Sequence, residues 1–345
     1  MTTTSPMLAR VLKAAVLRDA SDVHAKAGDV FRARVGGVLV PLTKQRLTPA
    51  QTRALAATFA GIELDDPRLD TLRDFDCSWG VPGIGRFRVN VSRQRSSFMV
   101  VLRVIQFSVP TPEGLRLPEF VARFAEAEDG LVIVAGPSGS GKTSTIAAMV
   151  HHINRSRERH VVTLEDPIEF LHRDLASSIT QREIGTDTAD VAGGIHAALR
   201  QDADVIVIGD LRDSLAVDRA IRAAESGCLV LAAVSASDAT SALMQLVATL
   251  PAGERDVGRM RLAVVLRAVV AQRLVANPEG EGRLPILEWM EPIPALRDAL
   301  AGGGEAAALQ KALDRATKEG KGETFARAMA EAGIAAELTP RPRTH

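Results

Sequence analysis

The stretch Leu131–Thr145, LVIVAGPSGSGKTST, decides how the rest of this chain is read. The apolar run LVIVA is of the kind found in strands covered on both faces. It stops at glycine, and GPSGSGKT (Gly136–Thr143) then satisfies the spacing GxxxxGK[ST]. Strand, glycine-rich loop and helix in this order are what a phosphate-binding loop requires. Backbone N–H groups can face phosphate oxygens where side chains are absent, and the following helix N-terminus adds positive potential. The expected cradle is Gly136, Pro137, Ser138, Gly139, Ser140, Gly141, Lys142, Thr143 and Ser144. Lys142 is placed to reach the β- and γ-phosphates and the Thr143 hydroxyl to ligate a metal, so ATP with Mg²⁺ is the expected ligand pair.

Two acidic strand ends lie downstream. DADVIVIGDLRD (Asp202–Asp213) runs through VIVI to Gly209 and the single carboxylate of Asp210. Asp210 stands where a second nucleotide motif would hold Mg²⁺ through a water; the alternative, a helix cap, is better filled by Asp213 or Ser214. HVVTLEDPIEF (His160–Phe170) ends in Glu165 and Asp166, with Pro167 keeping Asp166 out of helical geometry. A strand beside the phosphate-loop strand would deliver Glu165 to the γ-phosphate side, where a carboxylate can orient or deprotonate water. Spacing alone leaves a solvated acidic turn equally open.

The alternation of apolar strands (LVIVAG, HVVTLED, DVIVIGD, CLVLAAV) with helices from Lys142, near 188–201 and near 214–226 predicts a parallel α/β sheet. From about Ser241 the chain reads as mostly helical, with one apolar segment at Leu284–Trp289, a loop at 302–304 and a frayed tail, TPRPRTH. Before the phosphate loop, residues 7–19 have helical spacing, and DVFRARVGGVLVPL predicts a hairpin about Gly36-Gly37. A helix is expected to start at Thr48-Pro49 and stop at Gly61. Residues 71–106 read as strands with a turn at Pro82-Gly83. The expected organisation is an N-terminal α+β domain over 1–107, a proline-marked linker over 108–118, an ATPase core over 119–290 and a C-terminal helical region with tail over 291–345.

The 345 residues carry 42 basic and 42 acidic side chains, so no overall basic field points to nucleic acid. Cys77 and Cys228 are far apart and have no CxxC neighbour, which excludes a zinc ribbon and fits a reducing cytosol. No signal peptide and no integral membrane segment is expected. Phe31, Phe75, Trp79 and Phe87 read as N-terminal core. His24 reads as a packing or interface residue, and His151 and His152 as surface residues with no obvious acidic partner.

GPSGSGKTST, TLEDPIEF, ITQREIG, LRQDADVIVIGDLRD and AAESG, with ASDVH and VPGIGRFRVN upstream, together resemble the ATPases of type II and type IV secretion systems. Within that superfamily the chain is most similar to the PilT-type pilus retraction ATPases, over roughly residues 7–300. The resemblance implies a PAS-like N-terminal domain followed by a RecA-like P-loop ATPase domain, assembled as a homo-hexamer or a ring mixed with a paralogue. It implies a cytoplasmic protein, peripheral to the inner membrane, that acts on a pilus inner-membrane platform protein. It assigns the water-handling carboxylate to Glu165, and arginines that complete the site to Arg86, Arg88 and Arg103. Alternation independently puts Arg86 and Arg88 on one strand face, where a guanidinium fork suits phosphate.

Three places depart from the family pattern. Asp210 stands where a GEMRD-like segment has glutamate. SGCLVLAAVSA carries Cys228 and Ser235 where TGHLVFGTLHT-like segments have histidines. An AIRNLIR-like signature is reduced to ALRDALA, retaining Arg297. The expected function is a motor coupling ATP hydrolysis to pilus retraction in twitching motility. The alternative is an ATP-binding accessory paralogue with slow hydrolysis. Assembly-type relatives often carry a paired-CxxC insertion, which this sequence lacks.

Overall fold

Ser5 caps the first helix, α1 (Pro6–Val16), its hydroxyl accepting from Leu8 N at 3.3 Å. Leu8, Val11, Leu12 and Ala15 then bury one face. The computed structural model describes residues 5–105, 108–277 and 282–334. It falls into two compact units, Met1–Ser108 with Glu169–Leu171, and Val109–Ile168 with His172–His345.

In the first unit α1 is followed by β1 (Ala20–Lys26), β2 (Arg32–Val35) and β3 (Val38–Pro41). Gly36 and Gly37, at φ 55° and 82°, make the β2–β3 hairpin turn that the sequence predicts. Helix α2 (Pro49–Ala60) has both halves of a capping box: Thr48 Oγ1 accepts from Gln51 N, and Gln51 Oε1 accepts from Thr48 N at 2.8 Å. It ends on Gly61 at φ 67°. A short α3 (Arg68–Thr71) leads into β4 (Asp74–Val81), β5 (Gly85–Gln94) and β6 (Ser97–Ile105). The antiparallel sheet has the order β3-β2-β1-β6-β5-β4. Its core contains Phe31 and Phe87, while Phe75 and Trp79 pack at the margin, Trp79 edge-on to Phe59 at 5.2 Å. Strand β1 was not legible by alternation, because its apolar residues Ala20, Val23 and Ala25 fall out of phase across an irregularity at Ala20/Asp22 and the polar Asp22 is buried among them. Pairing with β2 on one side and β6 on the other makes it a strand.

The second unit runs α4 (Glu119–Ala125), β7 (Gly130–Ala135), α5 (Lys142–Ser156), β8 (His160–Glu165), β9 (Ser178–Glu183), α6 (Val191–Arg200), β10 (Val205–Ile208), α7 (Ser214–Glu225) and β11 (Leu229–Val234). Next come α8 (Ala239–Thr249), α9 (Arg255–Val265), β12 (Leu266–Ala276), β13 (Arg283–Met290), α10 (Pro294–Ala301), α11 (Ala306–Lys318), β14 (Gly322–Glu323) and α12 (Phe325–Glu331). Among the described residues the sheet has the order β14-β13-β12-β7-β11-β10-β8-β9. It is parallel from β12 to β9 and antiparallel at β13 and β14. Along β7, Leu131, Ile133 and Ala135 enter one core, and Val132 and Val134 the core on the other face. Burial of each such aliphatic side chain contributes about 1.5–3 kcal/mol, which is why this strand anchors the loop that follows it.

Two expectations are corrected here. Among the described residues the region after Ser241 is mostly helical, as expected, but it holds more than the one apolar segment: β12 is an 11-residue strand between β7 and β13. Its run LRAVVAQRLVA is buried on both faces, and such a run has no decisive period. Strand β8 is not beside the phosphate-loop strand either, since β11 and β10 intervene.

Val109 onward groups with the second unit, and Leu117 lies in its core. Leu296, Leu300, Leu309, Leu313 and Phe325 share the core of β7. Phe107 and the TPRPRTH tail lie outside the described residues.

Candidate functional site

The phosphate loop leaves β7 and enters α5. Gly136, Gly139 and Gly141 take φ of 158°, 76° and 90°, of which the last two favour glycine strongly. The loop is also crowded from behind. A Cβ on Gly136 would lie 2.6 Å from the Gln272 carbonyl oxygen, and one on Gly141 would lie 2.7 Å from Gln272 Nε2. Pro137, Ser138 and Gly139 form the exposed outer arc, and Ser140 is buried with its Oγ lacking a protein partner among the described residues. Gly141 is the N-cap of α5, so the positive end of a 15-residue helix points into the loop. Lys142 Nζ donates to the carbonyls of Gly136 at 2.7 Å and Pro137 at 3.1 Å. Burial lowers the Lys142 ammonium from its ordinary value, and the Asp210 carboxylate opposes that shift. Thr143 and Ser144 sit in the first turn, half-buried. The glycine cradle, the orphaned Ser140 hydroxyl and the helix terminus fit a polyphosphate.

Sequence reasoning missed Gln272. On β12 it is 3% exposed, its Nε2 donates to the Ser140 carbonyl at 2.8 Å, and its Oε1 accepts from Thr145 Oγ1 at 2.6 Å. One buried amide thus joins the loop to its helix, using both ends of its hydrogen-bonding capacity. Its only sequence signal is a polar residue inside the apolar run of β12, which the helical reading of that segment concealed. Beside the loop lies a cavity of about 370 Å³ whose lining includes Leu117, Ser144, Thr145, Leu274 and Pro285.

The carboxyl ends of the strands carry the acids. Glu165 closes β8, and its Oε1 accepts from Thr163 Oγ1 at 2.6 Å and Gln181 Nε2 at 3.1 Å. Asp210 follows β10 and faces Arg212 at 3.5 Å. Gly209 allows a close approach, for its N donates to the Leu164 carbonyl at 2.9 Å and a Cβ there would lie 3.3 Å from Glu165 Cα. Glu165 and Asp210 are therefore neighbours on adjacent strands. The phosphate-loop strand is two places further along, roughly 10 Å from β10 at about 4.8 Å per strand. The carbonyls of Ala233 and Val234 on the intervening β11 hold the two regions together, accepting from Leu211 N at 2.9 Å and Gly136 N at 3.2 Å. As expected, Asp213 caps α7, its side chain accepting from Ala216 N at 2.8 Å, which leaves Asp210 out of that role.

Arg86, Arg88 and Arg103 lie in the first unit. Arg86 and Arg88 alternate with buried Phe87 and Val89 along β5, and Arg88 is in register with Arg103 on β6. Arg103 Nε donates to Asp22 Oδ1 at 3.1 Å, and a cavity of about 180 Å³ is lined by Asp22, Asp76, Arg88, Asn90, Val101 and Arg103. Asp22, which belongs to ASDVH, is a tether that residue-by-residue reading overlooked.

The two departures in β11 separate. Ser235 is exposed at its carboxyl end beside the phosphate loop. Cys228 is buried at its amino end, roughly 20 Å away along the strand. There Cys228 Sγ donates to the Ala203 carbonyl at 3.1 Å, and burial pushes its thiol up. His152 also has an acidic partner after all, Glu126 at 2.9 Å, because α4 packs against α5.

A family model described as "Type II/IV secretion system protein" matches residues 80–320. The chain is 36% identical over 332 residues to the type IV pilus ATPase PilU of Pseudomonas aeruginosa, covering 96% of this chain and 86% of that one. It is 35% identical over 283 residues to the type IV pilus retraction ATPase PilT of the same organism, covering 81% of each. The crystal structure of the pilus retraction motor PilT with bound ADP superimposes with a TM-score of 0.79, at 33% identity and with 97% of each chain covered. The fold is accordingly that of a RecA-like P-loop ATPase domain preceded by a small PAS-like α+β domain. With a family model spanning most of its length and relatives alike over nearly all of it, the chain belongs to the type II/IV secretion system proteins.

Proposed function

We propose that this chain is a type IV pilus ATPase that binds ATP with Mg²⁺ at Gly136–Ser144 and hydrolyses it to drive pilus retraction. The observation that carries this reading is the gathering, on one edge of a parallel sheet, of the phosphate loop, Asp210 and Glu165, the acids on adjacent strands tied to the loop through β11. Lys142 would neutralise the β- and γ-phosphates. Glu165, with one carboxylate oxygen fixed by Thr163 and Gln181, would orient and deprotonate water. The Thr143 hydroxyl and the Asp210 carboxylate are hard oxygen donors suited to Mg²⁺, which supplies charge neutralisation when bound. Arg86, Arg88 and Arg103 would complete the site from a first unit, in a ring of six copies or one mixed with a paralogue. Such a ring would work on a pilus platform protein from the cytoplasmic side of the inner membrane. Among the described residues no helix is long and apolar enough to cross a membrane.

A second reading, an ATP-binding accessory subunit with slow turnover, is favoured by Ser235, exposed at the phosphate-side end of β11. ATP turnover by the purified chain separates the two. The motor reading expects steady hydrolysis, lost with binding in Lys142→Ala and lost without binding in Glu165→Gln. Tight ATP binding with no turnover by the parent chain sinks the autonomous motor in favour of the accessory subunit.

A further inference from the structure

Glu288, on β13, is 7% exposed, and both its oxygens accept from backbone donors. Oε1 accepts from Ala239 N at 2.9 Å, and Oε2 from Phe325 N at 3.2 Å. Ala239 is the first residue of α8 and Phe325 the first of α12. A carboxylate this buried is retained only where donors offset its desolvation, and here one carboxylate serves two helix starts at once.

What α8 follows gives the arrangement its meaning. Ser235–Asp238 connects β11 to α8, leaving β11 where its last carbonyls hold both Gly136 and Leu211. Its far end is tied down at several points. Asp238 Oδ1 accepts from Ser241 N at 2.7 Å, and Arg273 Nη2 donates to the Ser237 carbonyl at 3.1 Å. The Arg273 guanidinium also lies over the Phe325 ring, 4.1 Å from its centroid. Glu288, at the start of α8, and Arg273, at Ser237 within the connection, therefore both also engage Phe325.

We infer that Glu288 and Arg273 form a latch through which the C-terminal helix α12 sets the position of the Ser235–Asp238 connection, with Glu288 as a positioning residue for turnover; this rests on the nucleotide-site reading above. The phosphate cradle is braced separately by Gln272, so nucleotide binding and the latch are held by different side chains. Loosening α12 should reach the hydrolysis step while leaving the cradle intact.

Proline at the first helical residue removes its N–H and is otherwise tolerated there, and Thr324 before Phe325 already has the extended backbone (φ −92°, ψ 153°) that proline demands. Phe325→Ala removes the ring and keeps the donor; Phe325→Pro removes both. The two full-length variants and Glu288→Gln are compared with the parent by amide hydrogen exchange, nucleotide affinity and ATP turnover per folded molecule. Exchange over 235–242 is expected to rise about tenfold in Phe325→Pro relative to Phe325→Ala, the scale of one lost charge-assisted hydrogen bond. Exchange over 142–156 and nucleotide affinity should stay unchanged, while turnover falls, with Glu288→Gln behaving alike. Equal exchange over 235–242 in the two Phe325 variants overturns the inference. So does raised exchange with unaltered turnover, or loosening spread equally over 142–156. Full turnover in Glu165→Gln would instead overturn the site reading, and the exchange comparison would still decide the latch.

Discussion

Thr145 donates its hydroxyl to Gln272 Oε1 at 2.6 Å, joining the helix after the phosphate loop to a strand 127 residues further along the chain. The same amide donates to the Ser140 carbonyl, so the loop is held from below by a side chain that never meets solvent. Gln272→Leu keeps the volume and strands a buried hydroxyl and a buried carbonyl, at a cost of about 1–3 kcal/mol for each. Urea unfolding should show a lower midpoint, and nucleotide titration a weaker affinity. Parent-like affinity in a destabilised protein would show that the brace supports folding alone.

Asp210 lies at the end of β10 with its carboxylate part-exposed, 3.5 Å from Arg212. If Asp210 holds Mg²⁺ as proposed, a water on the metal would bridge the gap that a side chain one methylene shorter leaves. Asp210→Glu is therefore expected to keep or raise ATP turnover in steady-state assays with Mg²⁺. A collapse would mean that the site requires the shorter acid.

Gly209 permits the approach of β10 to β8. An added Cβ would stand 3.3 Å from both Glu165 Cα and the Leu164 carbonyl oxygen. Both neighbours are backbone or attached directly to it, so they yield only by shifting the strand end that carries Glu165. Gly209→Ala should destabilise the chain by about 1–3 kcal/mol, as overpacking does, and lower turnover more than nucleotide affinity. Comparing kcat with the dissociation constant for ADP checks it.

His172 follows the acidic turn, and burial holds its imidazole at about 4, with His151 adding to the shift. Its folded value lies below the ordinary 6.5, so the neutral form is favoured in the fold. Its contribution to stability is complete above the unfolded value and is lost as pH falls from there towards about 4. Unfolding midpoints at pH 7 and pH 5 should differ less in His172→Gln than in the parent chain. An identical pH dependence would place the acid sensitivity elsewhere.

Much of the site was local in sequence. The cradle Gly136–Ser144 needs only a strand, glycines and a helix start in succession, and all three are written contiguously. Thr48 and Gly61 marked the ends of α2 for the same reason, since caps are satisfied within a few residues. The acids Glu165 and Asp210 were found as strand ends. Their mutual position was not, because strand order places β11 and β10 between β8 and the loop strand, and nothing local encodes sheet order.

Sequence alone thus determined the α/β class, the phosphate loop, the acids at the strand ends and the family. Periodicity, glycine spacing and caps act over a few residues, and the remaining motifs are recognisable as a set. Tertiary structure alone decided that β12 is a strand, that Gln272 braces the loop, that Asp22 tethers Arg103, and that Glu288 joins α8 to α12. The first is set by pairing with strands far off in sequence, and the other three are long-range pairings of a buried polar side chain. The free energy that selects such a pairing is the cost of leaving that group without its partner, and the partner lies dozens of residues away, where no local pattern records it.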